Sequence, residues 1–329
     1  MKSRVTIYDV AEAAGVAAST VSRAFARPGR VSTETAARIF AAARELGYRS
    51  TSLPAVTGSV SRTVALVVTD ITNPFYAEII RGVHEAATGL GYTVVLSHTM
   101  EDPHVERAWI EHELPAVDGV VLASSRMSDS AIRMLAKQKP VVVLNRRLPE
   151  VPSLLIDNAR GMRRAMEHLG ELGHTSVTYV SGPEASWTDG MRWHALREAG
   201  YELEMVVHRV GPVNTPTIDA GSRMVEAILA NPTTAIVCYN DAVAIGVIKG
   251  LHSRDIRVPD EVSVIGVDNT QLGEVVDPEL TTVASPLRDQ GRTALRTVVA
   301  MAAGDAPNLK PLLLPVRLVV RESTARRRS

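Results

Sequence analysis

The stretch VTIYDVAEAAGVAASTVSRAF, Val5 to Phe25, packs two short apolar rhythms around a single glycine. Thr6 stands where a helix N-cap belongs, and Asp9, three residues on, completes an aspartate form of the capping box. Val10, Ala11 and Ala14 recur at helical spacing, Gly15 supplies a turn, and a second helix is expected from about Ala18 to Phe25. Pro28 and Gly29 in RPGR break that helix. Ser32 caps a third, whose Ile39, Phe40, Ala43 and Leu46 share one face and which Gly47 can stop. Helix, glycine turn, helix is the arrangement in which a second helix enters the DNA major groove while the first crosses the backbone. Charge agrees with that reading. Residues 1–50 hold eight Lys/Arg against four acids, a net +4 in a chain of net charge zero, as expected of a module that contacts phosphates.

Working outward, residues 49–62, RSTSLPAVTGSVSR, have the Ser/Thr-rich, Pro- and Gly-punctuated composition of a linker. From Thr63 on, β-branched runs alternate with amphipathic helical stretches. The runs are VALVV, YTVVL, GVVLA, PVVVL, SVTYV, AIVCY and VSVIGV. Such alternation indicates parallel sheets covered by helices, and seven crossings over about 260 residues fit two doubly wound lobes better than one. The expected fold is therefore an N-terminal all-α helix-turn-helix head on an α/β body of two doubly wound parallel-sheet lobes. The boundaries expected are 1–48 for the head, 49–62 for the linker and 63–329 for the body. Lobe 1 is placed at about 63–157 plus 286–309, and lobe 2 at about 158–285 plus 310–329.

Composition excludes several classes. At 45% hydrophobic and 22% charged residues the chain is that of an ordinary globular protein. Its longest apolar runs are far too short to span a bilayer, and MKSRVTIYD lacks the apolar stretch of a secretory signal. One cysteine, Cys238, leaves no disulfide framework and fits a reducing cytosol. The expected location is the cytoplasm, on the nucleoid when bound to DNA. HEAAT, His84 to Thr88, begins like a zinc-binding motif but lacks the second histidine. No nucleophile elbow, phosphate loop or dinucleotide glycine motif follows a strand. Neither catalysis, nor a metal, nor a cofactor is expected.

Polar residues follow the apolar runs. Thr69 and Asp70 follow VALVV, Ser124 and Ser125 follow GVVLA, and Asn145 and Arg146 follow PVVVL. In the second half Ser181, then Asn240 with Asp241, and Asp268 with Asn269 stand in the same place. Ligands of open α/β sheets bind outside the carboxyl ends of the strands. Any one of these residues reads equally as a turn or helix cap; six clusters rich in Asp and Asn point to a polar, hydroxyl-bearing ligand held between two lobes. Phe75 and Trp187 lie near the same edges and offer an apolar face to a ring.

The residues resemble the lactose/galactose repressor family. TIYDVAEAAGVAASTVSRAF and VSTETAARIFAAARELGY carry the likeness in the head; NPFYAEIIRGVHEAATGLGY, VDGVVLAS, IDNARG, YVSGP, YNDAVAIGV, DEVSVIGVDN and DPELTTVASP carry it through the body. The body motifs are shared with periplasmic sugar-binding proteins, so the resemblance implies a periplasmic-binding-protein-like body. It further implies a homodimer reading a palindromic double-stranded operator under control of a sugar- or nucleoside-like effector. By match, Ala18 and Ser19 hold the base-reading positions that vary in the family, Arg23 its retained arginine, and Thr6, Tyr8, Thr20, Ser22 and Ser32 positions at the operator backbone. The match assigns Phe75, Asn145, Arg146, Asn240 and Asp268 to the effector, beside Asp70, Ser124 and Trp187 from the strand-end reading. Two departures stand out. Family linkers push a leucine wedge into the minor groove, whereas this linker is about one residue short, so Leu53 or Val56 is the candidate substitute. SWTDGMRW sets Trp187 or Thr188 where the family has its effector arginine; either Arg192 compensates or the effector differs chemically from the usual free sugars. With no tetramerising helix after LVVRESTARRRS, a dimer is expected. The alternative is a small-molecule-binding protein of this fold without effective operator binding.

Overall fold

The computed structural model describes residues 5–26, 31–46 and 61–327, and the chain divides into two compact units, Met1–Val60 and Ser61–Ser329. The head consists of α1 (Ile7–Ala14), α2 (Ala18–Ala26) and α3 (Thr33–Glu45). The capping box forms as the sequence predicts: the Asp9 carboxylate accepts from the Thr6 amide at 2.6 Å and the Thr6 hydroxyl at 2.8 Å. Those bonds, the backbone one foremost, hold the Asp9 carboxyl below its usual range. Gly15 ends α1 at φ 63°, a left-handed turn that glycine adopts without steric penalty. Ser32 caps α3 by accepting from the Thr35 amide at 3.3 Å. Val10, Ala14, Val21, Ala24, Ile39 and Ala43 form the head's core, closed by an edge-to-face pair of Phe25 and Phe40. Leu46 departs from expectation: it lies one residue past α3 and is exposed. The RPGR break, Gly47 and most of the linker, including Leu53 and Val56, lie outside the described residues.

The body begins with β1 (Thr63–Val68), α4 (Pro74–Leu90), β2 (Thr93–His98), α5 (Pro103–Glu113), β3 (Gly119–Ala123), α6 (Asp129–Ala136), β4 (Val141–Leu144) and β5 (Ser153–Ile156). It continues with α7 (Asn158–Glu171), β6 (Ser176–Val180), α8 (Trp187–Glu202), β7 (Val206–Val210), α9 (Ile218–Arg223), α10 (Val225–Leu229), β8 (Ala235–Cys238), α11 (Asp241–His252), β9 (Ser263–Asp268) and β10 (Thr281–Ala284). Last come α12 (Leu287–Ala302), β11 (Leu312–Leu314) and β12 (Arg317–Val319).

Two six-stranded sheets result, ordered β11-β5-β4-β3-β1-β2 and β12-β10-β9-β8-β6-β7. All pairings are parallel except β10 with β12. The central strands are buried on both faces, which is why they read as unbroken apolar runs. The chain crosses between lobes three times: after β5, after β10, and between β11 and β12. The third crossing corrects the expected boundary at 310, because β11 hydrogen-bonds to β5 in the first sheet and only β12 joins the second. Both strands are three residues long, and Pro311 and Pro315 flank the apolar run Leu312–Leu314, so these strands are shorter than the others that the sequence announces.

On lobe 1, α4 and α12 pack at reciprocal glycines. A Cβ on Gly82 would collide with the Arg288 carbonyl, and one on Gly291 with that of Ile79. Their backbones therefore touch, and α12 is pinned directly after the second crossing.

Candidate functional site

On the head, α2 presents Ser19, Ser22 and Arg23 to solvent, with Thr20 and Ala18 half-buried. Ala18 packs partly against the head core. The Arg23 side chain folds back one turn, its Nε donating to the Ser19 carbonyl at 3.2 Å and a terminal nitrogen to the Ser19 hydroxyl at 3.3 Å. On α1, Tyr8 is 72% exposed, and Thr6 is engaged with Asp9. Ser32 is exposed at the start of α3.

In the body, the carboxyl ends of both sheets face one cleft. Its walls include Phe75, Tyr76, Glu101, Ser124 and Asn145 from lobe 1, and Thr188, Arg192, Tyr239, Asn240 and Asp268 from lobe 2. The enclosed space is ≈ 20 Å³, room for about one water molecule. The cleft is closed, so a ligand enters by parting the lobes. A larger hollow of ≈ 610 Å³ lies beside it, between the start of α4, the start of α12 and residues 268–274; it shares only Asp268 with the cleft.

Each lobe contributes one buried ion pair. In lobe 2, Arg192 lies three residues past Asp189 on α8. Its Nε donates to the Asn158 amide oxygen at 2.9 Å, its Nη1 to the Tyr239 carbonyl, and Nη2 sits 3.8 Å from an Asp268 oxygen. The guanidinium also lies over the Tyr239 ring, 5.1 Å from its centre. That Asp268 oxygen is buried with no hydrogen-bond partner. Burial pushes the Asp268 carboxyl well above the usual carboxylate range, with Arg192 pulling the other way. Asp268 also has φ 119°, a left-handed backbone that costs on the order of 1–3 kcal/mol and persists only where the surroundings enforce it.

In lobe 1, Glu101 at φ 61° accepts from Arg126 Nε at 2.5 Å and from the Thr69 hydroxyl at 2.8 Å. Because that hydroxyl donates to the carboxylate, it accepts in turn from Tyr76, 2.6 Å away. The Arg126 amide donates to the buried Glu106 at 3.0 Å. Asn145, at φ 60°, donates to the Ser124 hydroxyl at 3.1 Å and accepts from Gln290 of α12 at 2.9 Å.

The structure thus gathers Phe75, Ser124, Asn145, Arg192, Asn240 and Asp268. Asn240 also caps α11, accepting from the Val243 amide at 2.9 Å, so its cap reading and its site reading coexist. Three candidates go elsewhere. Arg146 turns outward to the Met127 carbonyl at 2.6 Å and to Asp129, because β4 alternates sides and Asn145 already takes the inward position. Asp70 accepts from the Thr72 hydroxyl at 2.7 Å and lines a separate hollow of ≈ 260 Å³ that Asp219 of α9 also lines. Trp187 is the first residue of α8 and half-buried outside the cleft, while its neighbour Thr188 lines it. Arg192, one helical turn later, lines the cleft. Sequence reasoning missed Glu101, Arg126 and Tyr239. Arg126 directly follows the polar pair after GVVLA and Tyr239 directly precedes Asn240, so both carried the strand-end signal; Glu101 sits three residues past β2 on an irregular turn and carried none.

Among the described residues no group of His, Cys, Asp and Glu could hold a metal ion, and no helix is long and apolar enough to cross a membrane.

Comparison with known proteins places these features together. Residues 6–50 match the family model described as bacterial regulatory proteins, lacI family, and residues 166–324 match a periplasmic binding protein-like domain. The chain is 34% identical over 332 residues to the HTH-type transcriptional regulator DegA of Bacillus subtilis, covering 98% of each. It resembles the solved transcriptional regulator CelR–cellobiose complex, with 30% identity, TM-score 0.71 and coverage of 97% of this chain and 100% of that one. It also resembles the lac repressor dimer bound to operator and the anti-inducer ONPF, with 25% identity, TM-score 0.71 and coverage of 98% and 100%.

Proposed function

The chain belongs to the lacI family of bacterial regulatory proteins, and on that premise we propose that it is a transcriptional repressor. As a homodimer it binds a palindromic operator, and a small polar effector (a sugar, a nucleoside or a derivative) in the interlobe cleft controls that binding. It works as a regulator and not as an enzyme, in the cytoplasm and on the nucleoid while it holds DNA. The observation that carries the reading is the pairing, in one chain, of an exposed arginine on the second helix of the head with a closed, polar cleft at the carboxyl ends of two sheets. Arg23 reads a base edge, Ala18 and Ser19 line the same groove, and Thr6, Tyr8, Thr20, Ser22 and Ser32 lie along the phosphates. Leu53 or Val56 takes the place of the minor-groove wedge. Arg192, Asn240 and Asp268 from one lobe and Asn145, Ser124 and Phe75 from the other hold the effector.

The test is a gel-shift titration against palindromes upstream of the protein's own gene, at moderate salt, with random DNA as competitor. Adding neutral sugars and nucleosides should change operator affinity, and Asp268→Ala should remove that change while keeping the affinity itself. If no palindrome binds more tightly than random DNA, the protein is a small-molecule binder of this fold and not a repressor.

A further inference from the structure

Arg192, the arginine that lines the cleft, is already committed, and the carboxyl and amide oxygens buried without partners there and directly behind it accept hydrogen bonds. Arg192 gives its three donor edges to Asn158, Tyr239 and Asp268. Arg126, whose side chain is 3% exposed, gives its Nε to Glu101. Among the described residues, five buried side-chain oxygens have no partner: Asp268 Oδ1 in the cleft, Gln290 Oε1 behind Asn145, Glu106 Oε1 behind Arg126, and Asp118 Oδ2 and Ser285 Oγ outside it. No lysine lines the cleft. Arg126 pairs with Glu101 and Arg192 with Asp268, and it is the two acidic residues that face the space together with Arg192.

We infer that the Glu101–Arg126 pair is an anion-excluding device, which restricts the effector to neutral, hydrogen-bond-donating polyols and rejects phosphorylated or carboxylated ones. The inference rests on the proposed effector role of the cleft and adds the effector's charge class. An anion entering here meets Glu101 on one wall and Asp268 on the other. Its natural receiver in lobe 1, Arg126, is buried and held behind Glu101 by the bond from its Nε. A neutral ligand brings the hydroxyl donors that Asp268 lacks. Glu101 is the deciding residue: its left-handed backbone and its bond to Thr69 fix the carboxylate over Arg126, so neutralising it leaves a buried guanidinium without its counter-charge.

The experiment uses the full-length protein and follows binding by calorimetry and thermal shift. Its probes are neutral monosaccharides, their phosphates, glucuronate and inorganic phosphate. For the wild type, each phosphate or uronate should bind at least ~100-fold more weakly than its neutral parent, since like charges juxtaposed at an interface cost several kcal/mol, and inorganic phosphate should not bind. Glu101→Gln should gain measurable affinity for inorganic phosphate and for the sugar phosphates. Glu101→Gln with Arg126→Gln should lose that gain, which identifies Arg126 as the receiver and separates charge from general loosening. A wild type that takes a sugar phosphate as well as the free sugar overturns the inference, and so does a folded Glu101→Gln protein blind to phosphate. Should Glu101→Gln fail to fold, the wild-type series decides alone. A sugar phosphate that shifts operator binding sinks the charge inference but leaves the repressor reading intact; neutral sugars that bind without affecting operator binding do the reverse.

Discussion

At the scale of single residues, the head's chemistry concentrates in Arg23. The neighbouring positions offer one methyl and one hydroxyl, so Ala18 and Ser19 contribute little reach of their own, and the guanidinium is the only long donor that the described part of α2 exposes. Its bonds to Ser19 are weak, exposed ones and yield readily to a guanine edge. Arg23→Ala should therefore cost about 1–3 kcal/mol on the operator and relax preference at one position per half-site. Equal losses on operator and random DNA, read by competition gel shift, would show a phosphate contact instead. In the body, Asp241 at the start of α11 is fully buried. It accepts from Thr282 Oγ1 at 2.6 Å and from the Thr270 amide at 2.7 Å and hydroxyl at 3.0 Å. Burial outweighs these bonds and pushes its carboxyl up to about 6. A carboxyl raised on folding binds its proton more tightly in the native state, so its contribution to stability is greatest at low pH. It falls as pH rises from about 4 to about 6 and is level above, a span of about 3 kcal/mol. Urea melts of wild type and Asp241→Asn should show the wild type's relative stability higher at pH 4.5 than at pH 7.5; equal differences at both would exclude this carboxyl as the source.

At the scale of elements, what the sequence revealed follows from burial. The strands recognised from their apolar runs are mostly the central ones, covered on two faces. Those overlooked are β5, too short at four residues; β7, an edge strand with alternating exposure; β10, whose Thr281 and Thr282 disguise a buried strand; and the exposed pair β11 and β12. In the site, strand-end Asp and Asn were legible because the fold type fixes which sheet edge faces the cleft. Which member of a pair turns inward was not, and Arg146 and Trp187 turn away because neighbouring residues occupy the inward register. Helix packing carries its own signature in glycine. Gly82→Ala sets a methyl against the Arg288 carbonyl and should destabilise the body by about 1–3 kcal/mol. Gly89→Ala, on the same helix with nothing within reach, should gain about 0.5–1 kcal/mol from helix propensity. Chemical denaturation of the two variants checks the contrast, and an unchanged Gly82→Ala protein would mean that the helices do not cross in backbone contact.

At the scale of the whole molecule, the polar groups form a continuous line from ligand space to scaffold. Asn145 touches the cleft, Gln290 grips Asn145 and the Leu154 carbonyl, and Gln290 belongs to α12, the helix that begins directly after the second interlobe crossing and is locked to α4. A ligand that pulls on Asn145 therefore acts on the same element that carries the chain back into lobe 1. The cleft's closure to the volume of about one water means that effector binding and lobe separation are one process, and ligand affinity includes the cost of parting the lobes.

The three crossings have a mechanical consequence. A body joined by a single strand swivels freely; one joined at three separate points, around residues 157, 285 and 315, keeps far fewer of those freedoms. The late link between β11 and β12 ties the chain's final strands into both sheets, so severing any one joint leaves two others as tethers. Every ligand that parts the lobes must therefore work against three tethers at once, so the range of openings is narrow.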